Sequence, residues 1–441
     1  MNRWITTFGG NDFSLRAFSA FCSILSIIAI YFFGCLLLGK SSGLYAALLQ
    51  TISPFDICYA QEARMYSLCT LLAVLSGGSL LYLCLKKGSS KRIIFATLYV
   101  ISTWALTNSH YTQLFLWAFT IFIGLVIVIL HKDWQLLGLI VISNLGIAIL
   151  SLPWLPLFLQ AASLRTASFY VARQPSLWWP IWALMVRIPF NWLIFLAGKK
   201  VMVWAIPVFV TSLIIIGRSF LFLVHRIKHI YTKESDKILA TVIVLKNPVT
   251  LLFLWTIVPA LMIWILDLKE SHRVVEIPRY LISTVPSIFL LAGFSLTLLR
   301  SKSYFIPLVI CHTLFCLANN AYLHIIPQKE NWREIAQLVE KNCRPGEILF
   351  VSNYYNIVCL DRYLQKPLRQ MGISAATGAS IIENKINQEK TDANSTPNFW
   401  ILSAQEGDTI FGTMSARFKV VQQYDFPHAL HLRKYQESKL N

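Results

Sequence analysis

The sequence predicts a mostly α-helical, polytopic membrane bundle of about ten spans, with a small C-terminal α/β domain on the outer face. Two properties of the 441 residues predict this class: 56% are hydrophobic and only 14% are charged, and the mean hydropathy is +0.57. Soluble proteins carry about 25% charged residues. The net charge of +18 would suit a nucleic-acid binder, but so apolar a chain excludes that partner. Ordinary counts of Gly (19), Pro (17) and Cys (9) exclude collagen-like, disordered and disulfide-scaffold classes.

Apolar runs of about 20 residues are long enough to cross a hydrocarbon core of about 30 Å. The chain contains such runs at residues 17–39, 42–60, 65–85, 93–108, 111–130, 136–158, 202–224, 249–267, 280–299 and 304–326. The stretch 178–197 is also apolar, but Arg187 and Pro189 interrupt it. Its Trp cluster favours the headgroup zone, so we interpret it as an interfacial or re-entrant element.

The basic loops predict the orientation, because Lys and Arg beside spans stay on the cytoplasmic side. Alternating the spans puts three basic loops on one side, together with Lys40 and Lys132; they are 86–92, 226–246 and 300–302. Both termini are then outside, in a multi-pass protein of the cell (inner) membrane. Residues 1–16 contain no signal peptide. An outside N-terminus is therefore explained by a preceding helix that this chain lacks, by a rare mode of insertion or by one miscounted span.

Residues 327–441 have a different composition and predict an extracytoplasmic α/β domain, after a transmembrane domain at 1–326. We predict a helix at Trp332–Lys341, and strands at Glu347–Ser352, Phe399–Ser403, Phe418–Phe426 and Ala429–Tyr435. The segment 384–397 reads as a polar loop. Cys343 and Cys359 lie in a compartment that permits a disulfide, although spacing alone does not establish the geometry.

Under this topology, polar and aromatic residues gather on the outer side. They are Asp12, Glu62, Arg64, Tyr66, His110, Tyr111, Arg279 and Tyr280. Arg64 is expected in the first turn of a helix, where a cation opposes the macrodipole by about 0.3–1 kcal/mol. An anion such as a lipid phosphate would offset this cost, and the planar fork of Arg suits phosphate.

A simpler alternative remains open for these residues. Glu62 could pair with Arg64, while Tyr66 and Tyr111 anchor the protein at the membrane interface. Glu62 and His110 could instead bind a divalent metal ion, since carboxylate and imidazole are usual ligands. Two ligands are too few for a site, and His110 could equally be a hydrogen-bonded loop residue.

One phrase of the sequence resembles a known signature. Residues Tyr59–Tyr66 (Tyr-Ala-Gln-Glu-Ala-Arg-Met-Tyr), preceded by Ser53-Pro54-Phe55, resemble that of bacterial GT-C type membrane glycosyltransferases. The branch is the one similar to protein O-mannosyltransferases and lipid A aminoarabinose transferase (glycosyltransferase family 39-like). Weaker matches are Ser109-His110-Tyr111, Pro278-Arg279-Tyr280-Leu281 and the Trp-Arg-Glu helix start at 332–334.

This resemblance implies a helical membrane bundle that transfers a hexosyl or pentosyl group, with inversion, from a polyprenyl-phosphate carrier to an acceptor outside. The partners implied are the lipid-linked sugar, membrane lipid and an unidentified acceptor. A carboxylate takes the acceptor proton while Arg or Lys, and sometimes a metal, meets the charge of the leaving phosphate. Glu62 matches the acidic residue of the family's second loop and Arg64 its basic neighbour. Arg279 matches the Arg of the Arg-Tyr-Leu phrase, which implies a place near the phosphate.

The sequence departs from the family pattern at its beginning. The family's catalytic Asp follows a first transmembrane helix, and this chain begins beyond both. Asp12 is the catalytic candidate that remains, although it lies late in the loop pattern. We expect either a start codon upstream of Met1 or a degenerate relative. The alternative function is accordingly a non-catalytic lipid-phosphate-binding protein, an inactive paralogue or a carrier.

Overall fold

The computed structural model describes residues 7–9, 11–86, 90–157, 159–160, 178–198, 206–270, 273–325, 331–354, 356–374, 378–393, 398–403, 410–426 and 430–437. The chain divides into two compact units, residues 1–321 and 322–441.

The first unit is helical throughout the part that the structure describes. Its helices are α1 (Asp12–Leu38), α2 (Lys40–Ile52), α3 (Pro54–Ala60), α4 (Tyr66–Leu85), α5 (Arg92–Ser109), α6 (Leu114–His131), α7 (Trp134–Ser151), α8 (Trp179–Trp182), α9 (Ile188–Ala197), α10 (Ile206–Lys233), α11 (Lys237–Leu245), α12 (Pro248–Glu270), α13 (Val285–Leu299) and α14 (Phe305–Ile325). A π-helical turn, Ala183–Arg187, joins α8 to α9. Short 3₁₀ helices cover Tyr111–Gln113, Leu152–Trp154, Val274–Glu276 and Pro278–Thr284.

Among the described residues, nine helical segments are long and apolar enough to cross a membrane. Eight of the ten predicted spans lie at these segments, so the predicted class of a polytopic helical membrane protein is confirmed. The predicted span 42–60 is two helices, α2 and α3, because Pro54 cannot donate to the ladder and Ser53 begins a new helix by accepting the Asp56 N–H. The predicted span 93–108 is the continuous helix α5, which is not among the nine.

The ninth segment is Trp179–Ala197, which we predicted to be interfacial or re-entrant. Its first residue, Trp179, contacts Glu276 in a loop predicted to be outside. At its other end the Ala197 carbonyl accepts a 2.8 Å hydrogen bond from Asn319, near the end of α14 predicted to be outside. Both ends thus meet residues assigned to the same side, although the segment is long enough to cross. These contacts fit an interfacial element, and the orientation itself stays a prediction.

Close helix contacts fix the 3₁₀ helix that carries Arg279. A Cβ atom on Gly77 of α4 would lie 2.4 Å from the Trp255 ring, so only glycine allows α4 and α12 to approach this closely. Trp255 is fully buried and donates a 2.9 Å hydrogen bond to the Ser283 carbonyl. Ser283 belongs to the 3₁₀ helix Pro278–Thr284. The packing of α4 against α12 therefore holds this segment in place.

The second unit is a three-layer α/β/α domain. Its elements are α15 (Trp332–Asn342), β1 (Ile348–Ser352), α16 (Asn356–Asp361), β2 (Gln370–Ile373), α17 (Gly378–Ala393), β3 (Phe399–Ser403), α18 (Ile410–Ser415), β4 (Phe418–Phe426) and β5 (Leu430–Glu437). The strand order is β2-β1-β3-β5-β4, with β1 parallel to β2 and β3, and β5 antiparallel to β3 and β4. One apolar cluster packs α17 and α18 on the sheet, and the other packs α15 and α16.

The helix and strands predicted in this region are present, but the polar loop predicted at 384–397 is wrong. Residues up to Ala393 belong to α17, and 394–397 lie outside the described residues. Ile382 and Ile386, four residues apart, are buried on one face of this helix. The many polar residues of its exposed face concealed that spacing from sequence inspection. Among the described cysteines, no disulfide joins Cys343 to Cys359.

A buried ion pair lies inside the second unit. Lys434 of β5 contacts Glu347, which precedes β1, at 2.7 Å, and the Trp400 indole donates to the same carboxylate at 2.8 Å. Burial raises the pKa of Glu347. Hydrogen bonds from Lys434, Trp400 and the Arg344 N–H outweigh that effect and hold the pKa below its ordinary value. The carboxylate is therefore charged at neutral pH, and it ties β1 to β3 and β5.

Candidate functional site

The loop between α3 and α4 carries Glu62 and Arg64. The Glu62 N–H donates to the Tyr59 carbonyl at 3.2 Å, which turns the chain away from α3. The Arg64 carbonyl accepts a 3.1 Å hydrogen bond from the buried Ser19 hydroxyl of α1. We predicted Arg64 in the first turn of a helix, but α4 begins at Tyr66 and Arg64 lies in the preceding turn. No capping side chain marks the start of α4, because its N-cap residue is Met65. The sequence alone therefore did not separate the turn that holds Arg64 from the helix.

Arg279 lies in the 3₁₀ helix Pro278–Thr284, half-buried. Its guanidinium carbon is 5.4 Å from the centre of the Tyr280 ring. Its charge also acts on the hydroxyl groups of Tyr59 and Tyr66. Arg279 is therefore a cation beside the phenol group of Tyr280, and its charge reaches those of Tyr59 and Tyr66.

Five aromatic side chains, which we call the aromatic cluster, contact one another beside Arg279: Tyr59, Tyr66, His110, Tyr111 and Tyr280. The ring centre of His110 lies 6.1 Å from that of Tyr66, 4.5 Å from that of Tyr111 and 5.6 Å from that of Tyr280. Tyr59 and Tyr66 are 4.9 Å apart, and Glu62 acts electrostatically on both. The cluster brings three distant chain segments together.

The predicted site residues Glu62, Arg64, Tyr66, His110, Tyr111, Arg279 and Tyr280 thus lie around one site. Tyr59 was missed as a site residue, although it stands in the quoted phrase Tyr59–Tyr66. Asp12 lies in the first turn of α1, which Asn11 caps. It precedes Ser19 by seven residues, or about 10 Å of helical rise.

A salt bridge with Glu62 was the simpler alternative for Arg64. Within the described ranges, no carboxylate forms a salt bridge with Arg64 or Arg279. The Arg279 Nε atom is buried without a hydrogen-bond partner among those residues. A half-buried guanidinium with no carboxylate partner among the described residues is costly, so the site is suited to an anionic ligand.

The residues do not fit the metal ion considered from the sequence. His110 is buried, and its Nδ1 atom contacts the Thr112 hydroxyl at 2.9 Å and accepts the Thr112 N–H. His110 therefore caps the 3₁₀ helix Tyr111–Gln113. In the part of the chain that the structure describes, no three His, Cys, Asp or Glu residues group closely enough to hold a metal. Glu62 and His110 alone are too few to make a metal site.

Comparison with known proteins identifies the architecture. No protein-family model matches the chain, and no curated protein matches its sequence. Among solved structures, the chain is similar to ArnT from Cupriavidus metallidurans in the apo state, with a TM-score of 0.58 and 12% identity over 98% of this chain and 85% of ArnT. The values are the same for ArnT bound to undecaprenyl phosphate. The chain is also similar to AglB from Archaeoglobus fulgidus, an oligosaccharyltransferase in complex with an inhibitory peptide and a dolichol-phosphate. The TM-score is 0.51 and the sequence identity is 12%, over 99% of this chain and 65% of AglB.

This chain has the GT-C fold. ArnT and AglB are both glycosyltransferases with that fold, so the predicted resemblance to GT-C proteins is confirmed. At 12% identity the likeness establishes the architecture, while the roles of individual residues are argued from the site itself.

Proposed function

We propose that this protein is an integral membrane glycosyltransferase that transfers a sugar from a polyprenyl-phosphate-linked donor to an acceptor at the outer face of the cell (inner) membrane. The observation that carries the proposal is the half-buried Arg279, without a carboxylate partner among the described residues, beside the aromatic cluster. The GT-C fold supports it, as does the undecaprenyl phosphate bound by the similar ArnT.

In this proposal the donor phosphate binds Arg279. A guanidinium offers two parallel N–H donors to phosphate, and partial burial strengthens the attraction because less water screens it. The exposed Arg64 on the neighbouring loop provides a second cation. The sugar attached to this phosphate then lies against the aromatic cluster, whose rings exclude water from the reacting carbon.

The reaction is a displacement with inversion. The acceptor hydroxyl oxygen bonds to the anomeric carbon, the bond from that carbon to the phosphate oxygen breaks, and the phosphate leaves with the electron pair. A carboxylate takes the hydroxyl proton as general base. Glu62 is the first candidate for this role because its loop also carries Arg64, and Asp12 is the second. Arg279 and Arg64 stabilise the charge that develops on the leaving phosphate.

The proposal is tested with the full-length protein in nanodiscs, supplied with polyprenyl-phosphate sugars and a bacterial membrane extract as the acceptor source. Release of polyprenyl phosphate is measured by mass spectrometry. We expect Glu62→Gln to slow release about 10²–10⁴-fold, the usual contribution of a general base. The matched control Glu234→Gln, in the turn between α10 and α11, should release product at the wild-type rate.

Two outcomes would count against the proposal. If Glu62→Gln transfers sugar normally and Asp12→Asn does not, Asp12 is the base and the assignment of Glu62 is wrong. If the wild-type protein binds polyprenyl phosphate but releases none from any donor, the protein is a non-catalytic lipid-phosphate binder.

A further inference from the structure

A cleft of about 370 Å³ lies in the first unit beside the 3₁₀ helix Val274–Glu276. It is lined by Trp178, Trp179, Trp182, Arg273 and Glu276. Its volume is within the range of about 300–1,000 Å³ that is usual for small-molecule sites. None of its lining residues belongs to the aromatic cluster.

Hydrogen bonds hold the two walls of this cleft together. The Trp179 indole N–H donates to the Glu276 carboxylate at 2.5 Å, and the Arg187 guanidinium donates to the Glu276 carbonyl at 2.6 and 3.1 Å. Asn191 donates to the Val275 carbonyl at 2.7 Å. The cleft is therefore shaped before any ligand arrives.

The three tryptophans differ in exposure. Trp179 is 3% exposed and forms the floor, whereas Trp178 and Trp182 are 71% and 43% exposed. Two exposed indole faces beside a buried one offer flat apolar surfaces to a ligand. An indole that only anchors a helix at the membrane interface needs no such cleft.

A donor and an acceptor of hydrogen bonds complete the lining. Arg273 Nη1 lies 3.7 Å from Glu276 Oε1, and the Arg273 guanidinium carbon lies 5.7 Å from the Trp179 ring centre. A pyranose ring has an apolar face of C–H groups that packs on indole, and vicinal hydroxyls that accept from a guanidinium and donate to a carboxylate. The lining therefore matches a sugar better than a purely apolar or purely anionic ligand.

The cleft is also close to the proposed reaction centre. Glu276 precedes Arg279 by three residues, so their Cα atoms are at most about 11 Å apart. The donor sugar is bonded to the phosphate and so belongs beside Arg279 and the aromatic cluster. The cleft is thus free for the other substrate.

We propose that the cleft of Trp178, Trp179, Trp182, Arg273 and Glu276 binds a pyranose ring of the acceptor, which is accordingly a glycan or glycolipid. The acceptor assignment rests on the proposed function. The binding of a pyranose does not depend on it.

Saturation-transfer NMR tests the proposal on the full-length protein in phospholipid nanodiscs. The probes are the methyl pyranosides of glucose, mannose, galactose and N-acetylglucosamine. We expect the wild-type protein to transfer saturation to the ring protons of at least one of them. The double variant Trp178→Ala/Trp182→Ala should weaken that binding about tenfold, because it removes both exposed indole faces. Trp134→Ala, which removes a Trp that is 69% exposed outside the cleft, should bind as the wild type does.

Each outcome decides one part of the proposal. Equal binding by the wild type and the double variant, or no transfer to any pyranoside, overturns the cleft as a sugar site. Glu276→Gln, which keeps the indoles, should also weaken binding, and unchanged binding by this variant would contradict the role of the ion pair. Displacement of the pyranoside by a polyprenyl-phosphate sugar would show that the cleft holds the donor sugar instead. If the protein binds a pyranoside but transfers no sugar, the proposed function is overturned and the cleft remains a pyranose-binding site.

Discussion

Replacing Arg279 tests the proposed lipid-phosphate site most directly. Arg279→Lys keeps the charge but exchanges the planar fork for a single ammonium group, whereas Arg279→Ala removes both. The 3₁₀ helix that carries Arg279 should keep its place in either variant, because Trp255 holds its backbone at Ser283 rather than at residue 279.

The expected loss of affinity follows from the two hydrogen bonds that a guanidinium donates to a phosphate. Hydrogen bonds to charged groups contribute about 1.5–3 kcal/mol each. Arg279 is half-buried, so solvent screens part of the interaction and the lower value applies. Losing one bond in Arg279→Lys should weaken binding about tenfold, and losing both in Arg279→Ala should weaken it about 150-fold.

The measurement is the affinity of the full-length protein in nanodiscs for a fluorescent polyprenyl phosphate, followed by polarisation. Arg300→Ala, an exposed Arg after α13, is the matched control and should bind as the wild type does. If Arg279→Ala binds within twofold of the wild type, Arg279 does not contact the phosphate and the site has been assigned to the wrong cation.

Two further predictions concern stability. Gly77→Ala places a Cβ atom 2.4 Å from the Trp255 ring and should destabilise the full-length protein by about 1–3 kcal/mol in a thermal melt. The control Gly138→Ala, whose Cβ meets nothing within 4 Å, should not destabilise it. Equal melting temperatures of the two variants would mean that α4 and α12 can separate at little cost. The folded-state pKa of Glu347 is lowered, so its stabilising contribution is full above its unfolded pKa of about 4.3 and is lost as the pH falls through the folded value. Hydrogen exchange of the β1 and β3 amides, corrected for intrinsic rates, should show this loss in the wild type. Lys434→Met should weaken the protection of these amides already at pH 7. Wild-type protection in Lys434→Met would show that the ion pair contributes nothing to stability.

Much of the fold followed from patterns that are local in the sequence. Phe399–Ser403 is a continuous apolar run of strand length between polar segments, and β3 has those bounds. The errors occurred where two signals conflict. The polar residues of α17 hid the spacing of Ile382 and Ile386, and the apolar run 42–60 hid the break that Pro54 makes.

The site was predictable to the extent that its residues stand in recognisable phrases. Glu62, Arg64 and Arg279 were predicted in this way, and the helical bundle brings their segments together. The cleft of Trp178, Trp179 and Trp182 was not predicted as a site, because its polar residues come from a segment about 90 residues later in the chain. The contacts of Trp179, Arg187 and Asn191 with residues 275 and 276 reveal that these segments share a surface.

The hydrogen bond from Ser19 to the loop reaches the main-chain carbonyl of residue 64 and not the side chain. Every amino acid supplies that carbonyl, so the loop can keep its position while the side chain at 64 is exchanged. In the proposed function, the side chain at position 64 and the backbone of its loop therefore have separate roles. A change of the side chain at position 64 leaves this hydrogen bond in place, whereas Ser19→Ala removes it.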